Sequence, residues 1–226
     1  MSIVQRKTDG RNARTQRTRS AVVEAMLSLI DRGDLRPTAR RVAERANISL
    51  RSVFQHFADL ESLFAAVADA QLGRLTRLIS QETGEGPLAE RTRSFVERRA
   101  ELLETITPVR RAALLQEPFS AELARRLRWA HDTARGEIER TFAPELAVVP
   151  ADDGNEIVLA LDVATNWSAW DTSRRLNGLP IEDSKRVMER TITALLKEAD
   201  SSQDGRPAEP VAPRDDGGAP MTADSP

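Results

Sequence analysis

Arg51, Ser52, Gln55 and His56 fall on one side of a short stretch of this chain, and Val53 and Phe57 fall on the other. Residues three and four apart share a helix face, so the polar set stands clear of whatever Val53 and Phe57 pack against. Such a face offers donors and acceptors and buries nothing apolar. Arg pairs in bidentate fashion with guanine O6 and N7, Gln pairs with adenine N6 and N7, and Ser bonds several base edges. A helix lying in a DNA major groove presents this chemistry. The alternative is a helical hairpin whose polar face is merely solvated.

The residues just before this face would position it. Thr38 precedes Ala39, Val42, Ala43 and Ala46, spaced i, i+3, i+4, i+7, which is one face of a short helix. A Thr there can cap the helix by accepting a backbone N–H bond. Asn47 tolerates the left-handed conformation of a tight helix stop. Ile48 is a single apolar residue suited to the gap between two helices, and Ser49 can cap the second one. Residues 38 to 57 thus read as a helix-turn-helix.

Helical signals continue along the chain. The spacing predicts a first helix over about 16 to 32, with Val22, Met26, Leu29 and Ile30 on one face and Gly33 as its stop. Pro37 lies in the connector that follows. Asp59 would cap a fourth helix running from Leu60 to about 81, with a break at Gly84, Gly86 and Pro87. A fifth helix is expected over 87 to 105. Thr107-Pro108 reads as a cap with proline in the first turn of a sixth, to about Gln116. Ser120 would start a seventh to Phe142. An eighth would cover 152 to 176, and a ninth would run from Pro180 to about Ala199. No strand pattern is visible. The expected fold class is all-α: a three-helix N-terminal helix-turn-helix domain and a larger C-terminal helical domain, about nine helices in all.

Composition narrows the function. No apolar run reaches the ~20 residues of a bilayer span, and the polar, Arg-rich start does not read as a secretory signal. The chain has no cysteine, which excludes disulfides and fits a cytoplasmic protein. Its two histidines, His56 and His131, are far apart in sequence. No nucleophile–base pair, phosphate-cradling glycine loop or metal-ligand spacing is present, so neither enzymatic activity nor a cofactor or metal is expected. The acids Asp152, Asp153 and Glu156 are explained by the dipole of a helix start.

Charge is unevenly spread. Residues 1 to 57 hold 12 Lys+Arg against 5 Asp+Glu, a net +7 in a chain whose total is −2. A basic end on an acidic body suggests a nucleic-acid footprint confined to that end. Arg6, Lys7, Arg11, Arg14, Arg17 and Arg19 precede or open the first helix. Residues 1 to 15 read as a flexible basic arm, either adding phosphate contacts or simply solvated. Residues 200 to 226 contain five prolines and three glycines and carry a net −4. They cannot bury enough apolar area to offset ordering entropy and read as a disordered acidic tail. The domain bounds expected are 16 to 59 for the helix-turn-helix and 60 to 199 for the helical body.

The stretch from about 16 to 64 resembles the tetracycline-repressor (TetR) family of bacterial one-component regulators. The resemblance rests on Thr38, Val42, Ala43, Ala46-Asn47-Ile48-Ser49, Ser52-Val53-Phe54 and His56-Phe57, followed by Leu63-Phe64. It implies that Thr38 binds a phosphate, that Arg51, Ser52 and Gln55 face the groove, and that His56 bonds the DNA backbone. Leu50 would touch a thymine methyl or pack at the helix start. Phe54 stands where the family often has tyrosine, which loses a hydroxyl-to-phosphate bond and leaves ring packing. Leu60 stands where lysine is common, and Arg40, Arg41 or the basic arm would replace that phosphate contact.

The resemblance further implies a regulatory body with a small-molecule pocket, paired with a second copy through its last two helices. Candidate pocket residues are Phe95, Leu103, Phe119, Leu127, Trp129, His131, Phe142, Trp167 and Trp170. Candidate interface residues are Ile157, Leu161, Ala164 and Ser168 on the eighth helix and Met188, Ile192, Leu195 and Leu196 on the ninth. The expectation is a cytoplasmic homodimer that binds a palindromic double-stranded operator and releases it when a small molecule binds. The alternatives are activation in place of repression, a DNA-binding architectural or interaction protein without a ligand, or, least favoured, an all-α enzyme.

Overall fold

Thr38 and Ser49 each start a helix as their types require, and the rest of the N-terminal unit is built around those two starts. The computed structural model describes residues 3–79 and 86–204. Helix α1 spans Ile3–Asp31, α2 Ala39–Ala46, α3 Leu50–His56 and α4 Leu60–Ile79. Thr38 Oγ1 accepts from the Arg41 N–H at 3.3 Å, and Ser49 Oγ accepts from the Ser52 N–H at 3.1 Å. Asn47 stops α2 in the left-handed region, at φ 54° and ψ 46°. Gly33, at φ 90°, closes α1 in the same way. Asp59 Oδ1 accepts from the Ser62 N–H at 2.7 Å and caps α4. That bond holds the Asp59 carboxyl below its ordinary pKa.

The larger unit follows: α5 Leu88–Leu114, α6 Ala121–Thr141, the single turn α7 Ala143–Leu146, α8 Ala151–Thr165, α9 Trp167–Asp171 and α10 Ile181–Asp204. A 3₁₀ turn at Glu117–Phe119 precedes α6, and a π turn at Thr172–Leu176 follows α9. Among the described residues there is no strand, so the all-α expectation holds.

Several boundaries differ from those expected. Backbone expected to be an arm is helical from Ile3 onward. The stretch has no proline, and its Arg, Gln, Lys and Ala residues are good helix formers. Helix α5 runs straight through Pro108 rather than restarting there. Proline removes the bond to the Glu104 carbonyl, but α5 is buried on both sides of it. Leu103 and Ile106 pack in one core and Val109 and Ala112 in the other. The expected eighth helix breaks at Asn166, whose Oδ1 accepts from the Ala169 N–H at 3.0 Å and caps α9. The first five residues of the expected tail, 200 to 204, continue α10. The remainder of the tail, 205 to 226, lies outside the described residues, as do 1 to 2 and 80 to 85.

Two cores result. The first joins Val22, Met26, Leu27, Ile30, Val42, Ala43, Val53 and Phe57 to Leu63, Phe64 and Val67 of α4 and Ala112 of α5. The second joins Phe95, Val96 and Leu103 of α5 to Ile138, Phe142, Leu161, Trp170, Met188, Ile192 and Leu196. Burying each large side chain is worth about 1.5–3 kcal/mol. Phe95 and Phe142 meet edge to face at 5.5 Å.

Candidate nucleic-acid face and ligand cavity

On α3 the division between inner and outer faces is sharp. Val53 is buried on the inner side, and Phe57, just past the helix end, joins the same core. Arg51 and Gln55 are exposed, while Ser52 and His56 are half-buried. Thr38 is exposed at the start of α2, beside the free N–H groups of a helix end. Arg40 is exposed and pairs with Glu44 one turn on, at 3.1 Å. Arg41 is held by Asp34 at 2.6 Å. The eight residues expected to contact DNA therefore lie on or beside one pair of short helices.

One of the eight, Phe54, and one residue of the basic tail, Arg19, behave differently from the expectation. Phe54 does not spend its ring on packing: it is 48% exposed, and Leu50, one turn before it, is 44% exposed. The outer face of α3 thus carries two apolar side chains among its polar ones. Arg19, grouped with the basic tail by sequence, is committed inside the fold. It donates to the His56 carbonyl at 2.8 Å and stacks over the Phe57 ring at 4.2 Å, tying α1 to the end of α3.

In the larger unit, a cavity of about 270 Å³ opens between α4, α5, α6 and the α8–α9 junction. Of the expected pocket residues, Leu103, Leu127, Trp129, His131 and Trp167 line it. Phe95, Phe142 and Trp170 instead fill the second core, and Phe119 is 84% exposed on the 3₁₀ turn. These four do not line the cavity. Helical spacing marks aromatic residues as inward-facing without saying whether a neighbour or a void lies beyond them.

The cavity wall also holds charges that the sequence reading overlooked. Arg99 is 3% exposed, yet its Nη2 donates to Glu137 Oε2 at 3.0 Å and to the Ala134 carbonyl at 3.0 Å. Its guanidinium lies 4.7 Å over the Phe95 ring. Burial pushes the Arg99 pKa down, Glu137 and Asp162 oppose that, and Arg98 adds to it. Asp162 lines the cavity at 7% exposure, with His131 Nε2 3.3 Å from its Oδ2. A signal for Arg99 exists in the sequence. Phe95, Arg99 and Leu103 are spaced four apart, which places a charge in the middle of an apolar stripe.

The helices expected to form the interface are divided in the same way. Leu161, Met188, Ile192 and Leu196 are buried in the chain's own core, and Ile157 and Leu195 are partly buried against it. Ala164 is half-buried and Ser168 exposed. The large apolar side chains left exposed are Leu159 and Val163 on α8 and Ile181 and Val187 on α10. Leu161, Met188, Ile192 and Leu196 thus serve the chain's own core.

Among the described residues no helix is long and apolar enough to cross a membrane, and no cluster of His, Cys, Asp and Glu suits a metal ion. No family model and no curated protein matches the chain. Solved structures do. A transcriptional regulator from Rhodococcus sp. Rha1 is similar at a TM-score of 0.62 and 20% identity, over 82% of this chain and 97% of that one. A TetR-family transcriptional regulator from Streptomyces coelicolor gives 0.63 and 18%, over 82% and 89%. A TetR transcription regulator from Haloarcula marismortui gives 0.57 and 15%, over 82% and 98%. At these identities the likeness is one of fold, and the chain has the fold of the TetR-family transcriptional regulators.

Proposed function

We propose that this protein is a homodimeric DNA-binding transcriptional regulator of the TetR family, a repressor released from a palindromic operator by a small molecule. The outer face of α3 carries the reading. Arg51 and Gln55 stand exposed beside an apolar pair, on a helix whose inner side is anchored by Val53. Arg51 is the candidate for a guanine, Gln55 for an adenine or a phosphate, and Ser52 for a base edge. Thr38, Arg40 and His56 supply backbone contacts, which set register without reading sequence. The proposed domain division is a helix-turn-helix at 16 to 59 and a regulatory body at 60 to 199.

A palindromic site needs two recognition helices about 34–36 Å apart. Two copies pairing through Leu159, Val163 and Val187 would supply them. The cavity between α4 and α6 is the proposed effector site, because α4 continues directly from the recognition helix through the Asp59 cap. A ligand that favours one spacing of the two helices over another shifts DNA affinity by that difference.

The test is selection of bound duplexes from a random pool, repeated with Arg51→Ala. The expected result is a two-fold-symmetric site whose guanine position the variant reads less strictly, by about 1–3 kcal/mol. Equal binding to random and selected duplexes would refute sequence-specific regulation.

A further inference from the structure

We infer that the cavity takes a small organic acid, a carboxylate on an apolar body, with the Arg99 guanidinium as the donor to its head group. This rests on the reading of the cavity as a ligand site, and it names the chemistry that site selects.

Around this cavity the hydrogen-bonding groups left unmatched are donors. Arg99 lines it and is almost fully buried. A guanidinium has five N–H donors. Arg99 uses two of them, both on Nη2, which donates to Glu137 Oε2 and to the Ala134 carbonyl, each at 3.0 Å. Its buried Nε has no partner, and Nη1 makes no hydrogen bond among the described residues. Arg98, next in the chain, approaches the same carboxylate, 3.7 Å from Glu137 Oε1, and donates from Nη1 to Ser94 Oγ at 2.6 Å. Its Nε and Nη2 are buried without a hydrogen-bond partner. Two guanidiniums thus share one carboxylate. Arg126 on the opposite wall adds a third such nitrogen, Nη1, beside the Glu122 carboxylate with which it forms an ion pair. The acceptors are better matched. Glu137 holds both arginines, Asp162 has His131 Nε2 3.3 Å from its Oδ2, and among the described residues neither has a buried oxygen without a partner. A cation removed from water and short of acceptors is costly. Burial lowers the Arg99 pKa, Arg98 lowers it further, and Glu137 and Asp162 do not restore it. A ligand bringing negatively charged oxygens removes that cost.

The remaining wall suits the body of such a ligand. Leu103, Ile106, Leu127, Trp129 and Trp167 line the same space. The Phe95 ring lies 4.7 Å from the Arg99 guanidinium and holds its plane in place. Arg110, also on the wall, has a single carboxylate contact, to Glu117 at 3.4 Å, and adds positive potential. A protonated amine would bring more donors to a wall already short of acceptors. A neutral amide would bring an acceptor without the charge.

The experiment uses the full-length protein without DNA and three probes sharing one apolar body: phenylacetate, phenylacetamide and phenethylamine. Affinities are read by calorimetry, and cavity occupancy by quenching of tryptophan fluorescence. Phenylacetate is expected to bind about tenfold or more tighter than its neutral amide, one charge-assisted contact's worth, with the amine weakest. In Arg99→Met, which leaves Arg98 to pair with Glu137, phenylacetate should fall to the level of the amide. An amide that binds as tightly as the acid, an amine that binds tightest, or an acid affinity untouched in folded Arg99→Met would overturn the inference while leaving the cavity a ligand site. Binding of no probe would overturn it together with that reading. The comparison of head groups on the unmodified protein stands even where the variant fails to fold. Because no readout involves DNA, failure of operator binding leaves this result intact.

Discussion

Arg126 on α6 grips Asp69 on α4 through two parallel bonds, Nε to Oδ1 at 2.7 Å and Nη2 to Oδ2 at 3.0 Å. The bond to Asp69 raises the Arg126 pKa. Arg126 is also a wall residue of the cavity, and three residues separate the end of the recognition helix at His56 from the start of α4 at Leu60. Two turns of α4 further back, Glu61 accepts from Ser120 Oγ at 2.5 Å. Two side-chain ties thus fasten the cavity's α6 to the helix that carries the DNA-reading unit.

Arg126→Leu should therefore loosen α4 without unfolding the protein. Asp69 is 57% exposed, so the pair contributes no more than about 1 kcal/mol to stability. Operator affinity, measured by fluorescence anisotropy, should fall about fivefold or more, the low end of common coupling energies. The urea midpoint should barely move. An unchanged operator affinity would remove this pair from the coupling route.

The apolar pair on α3 makes a prediction about sequence reading. The thymine methyl is the apolar feature of the major groove, and Leu50 and Phe54 are the exposed apolar side chains of α3. Replacing thymine by deoxyuridine in a selected half-site should weaken binding by about 0.8 kcal/mol, roughly fourfold, for each methyl contacted. The Leu50→Ala, Phe54→Ala double variant should bind the two duplexes alike. If deoxyuridine is neutral at every half-site position, the two side chains do not read thymine.

Acid stability should depend on two carboxylates beside α9. Burial pushes the Asp171 pKa up, but bonds from Arg111 at 2.7 Å and Arg175 at 2.9 Å more than reverse it, so the pKa lies below its ordinary value. Glu104 is likewise lowered on balance: burial raises it, and Arg174 at 2.8 Å and the Trp170 indole at 2.7 Å outweigh that. A folded-state pKa below the unfolded one stabilises the fold above the unfolded value, near pH 4, and that stability is lost as pH falls through the folded value. Asp171→Asn should cost about 1–3 kcal/mol at neutral pH and flatten the loss between about pH 5 and pH 3. Urea midpoints across that range test it; parallel acid limbs for the two proteins would contradict it.

The outer stripe of α8 and α10 predicts the quaternary state. Val163 and Val187 are 65% and 51% exposed, on helices that pack against each other. The protein should sediment as a dimer, and Val163→Glu with Val187→Glu should sediment as a monomer with unchanged helical circular dichroism and lost operator binding. Met188→Ala, a truncation of a buried side chain, should instead lower stability by about 2–5 kcal/mol. A dimer that survives both glutamates would place the interface elsewhere.

Residues 38 to 57 were legible because every signal in them is local. A cap acts within three residues, as Thr38 and Ser49 do, and a left-handed stop is a property of Asn47 itself. Helical periodicity likewise separated Val53 and Phe57 from Arg51 and Gln55 within two turns. The body was legible as helices but not as surfaces. Periodicity identifies Phe95, Trp129, Phe142 and Trp167 as apolar positions, yet only packing decides that Phe95 and Phe142 meet each other while Trp129 and Trp167 face a void. The same holds for Leu161 and Ile192, which the chain buries itself, against Leu159, Val163 and Val187, which it leaves exposed. Arg99, Glu137 and Asp162 come from three different helices. Their charges acquire meaning only when folding removes water from around all three at once, which is a tertiary event no local spacing encodes.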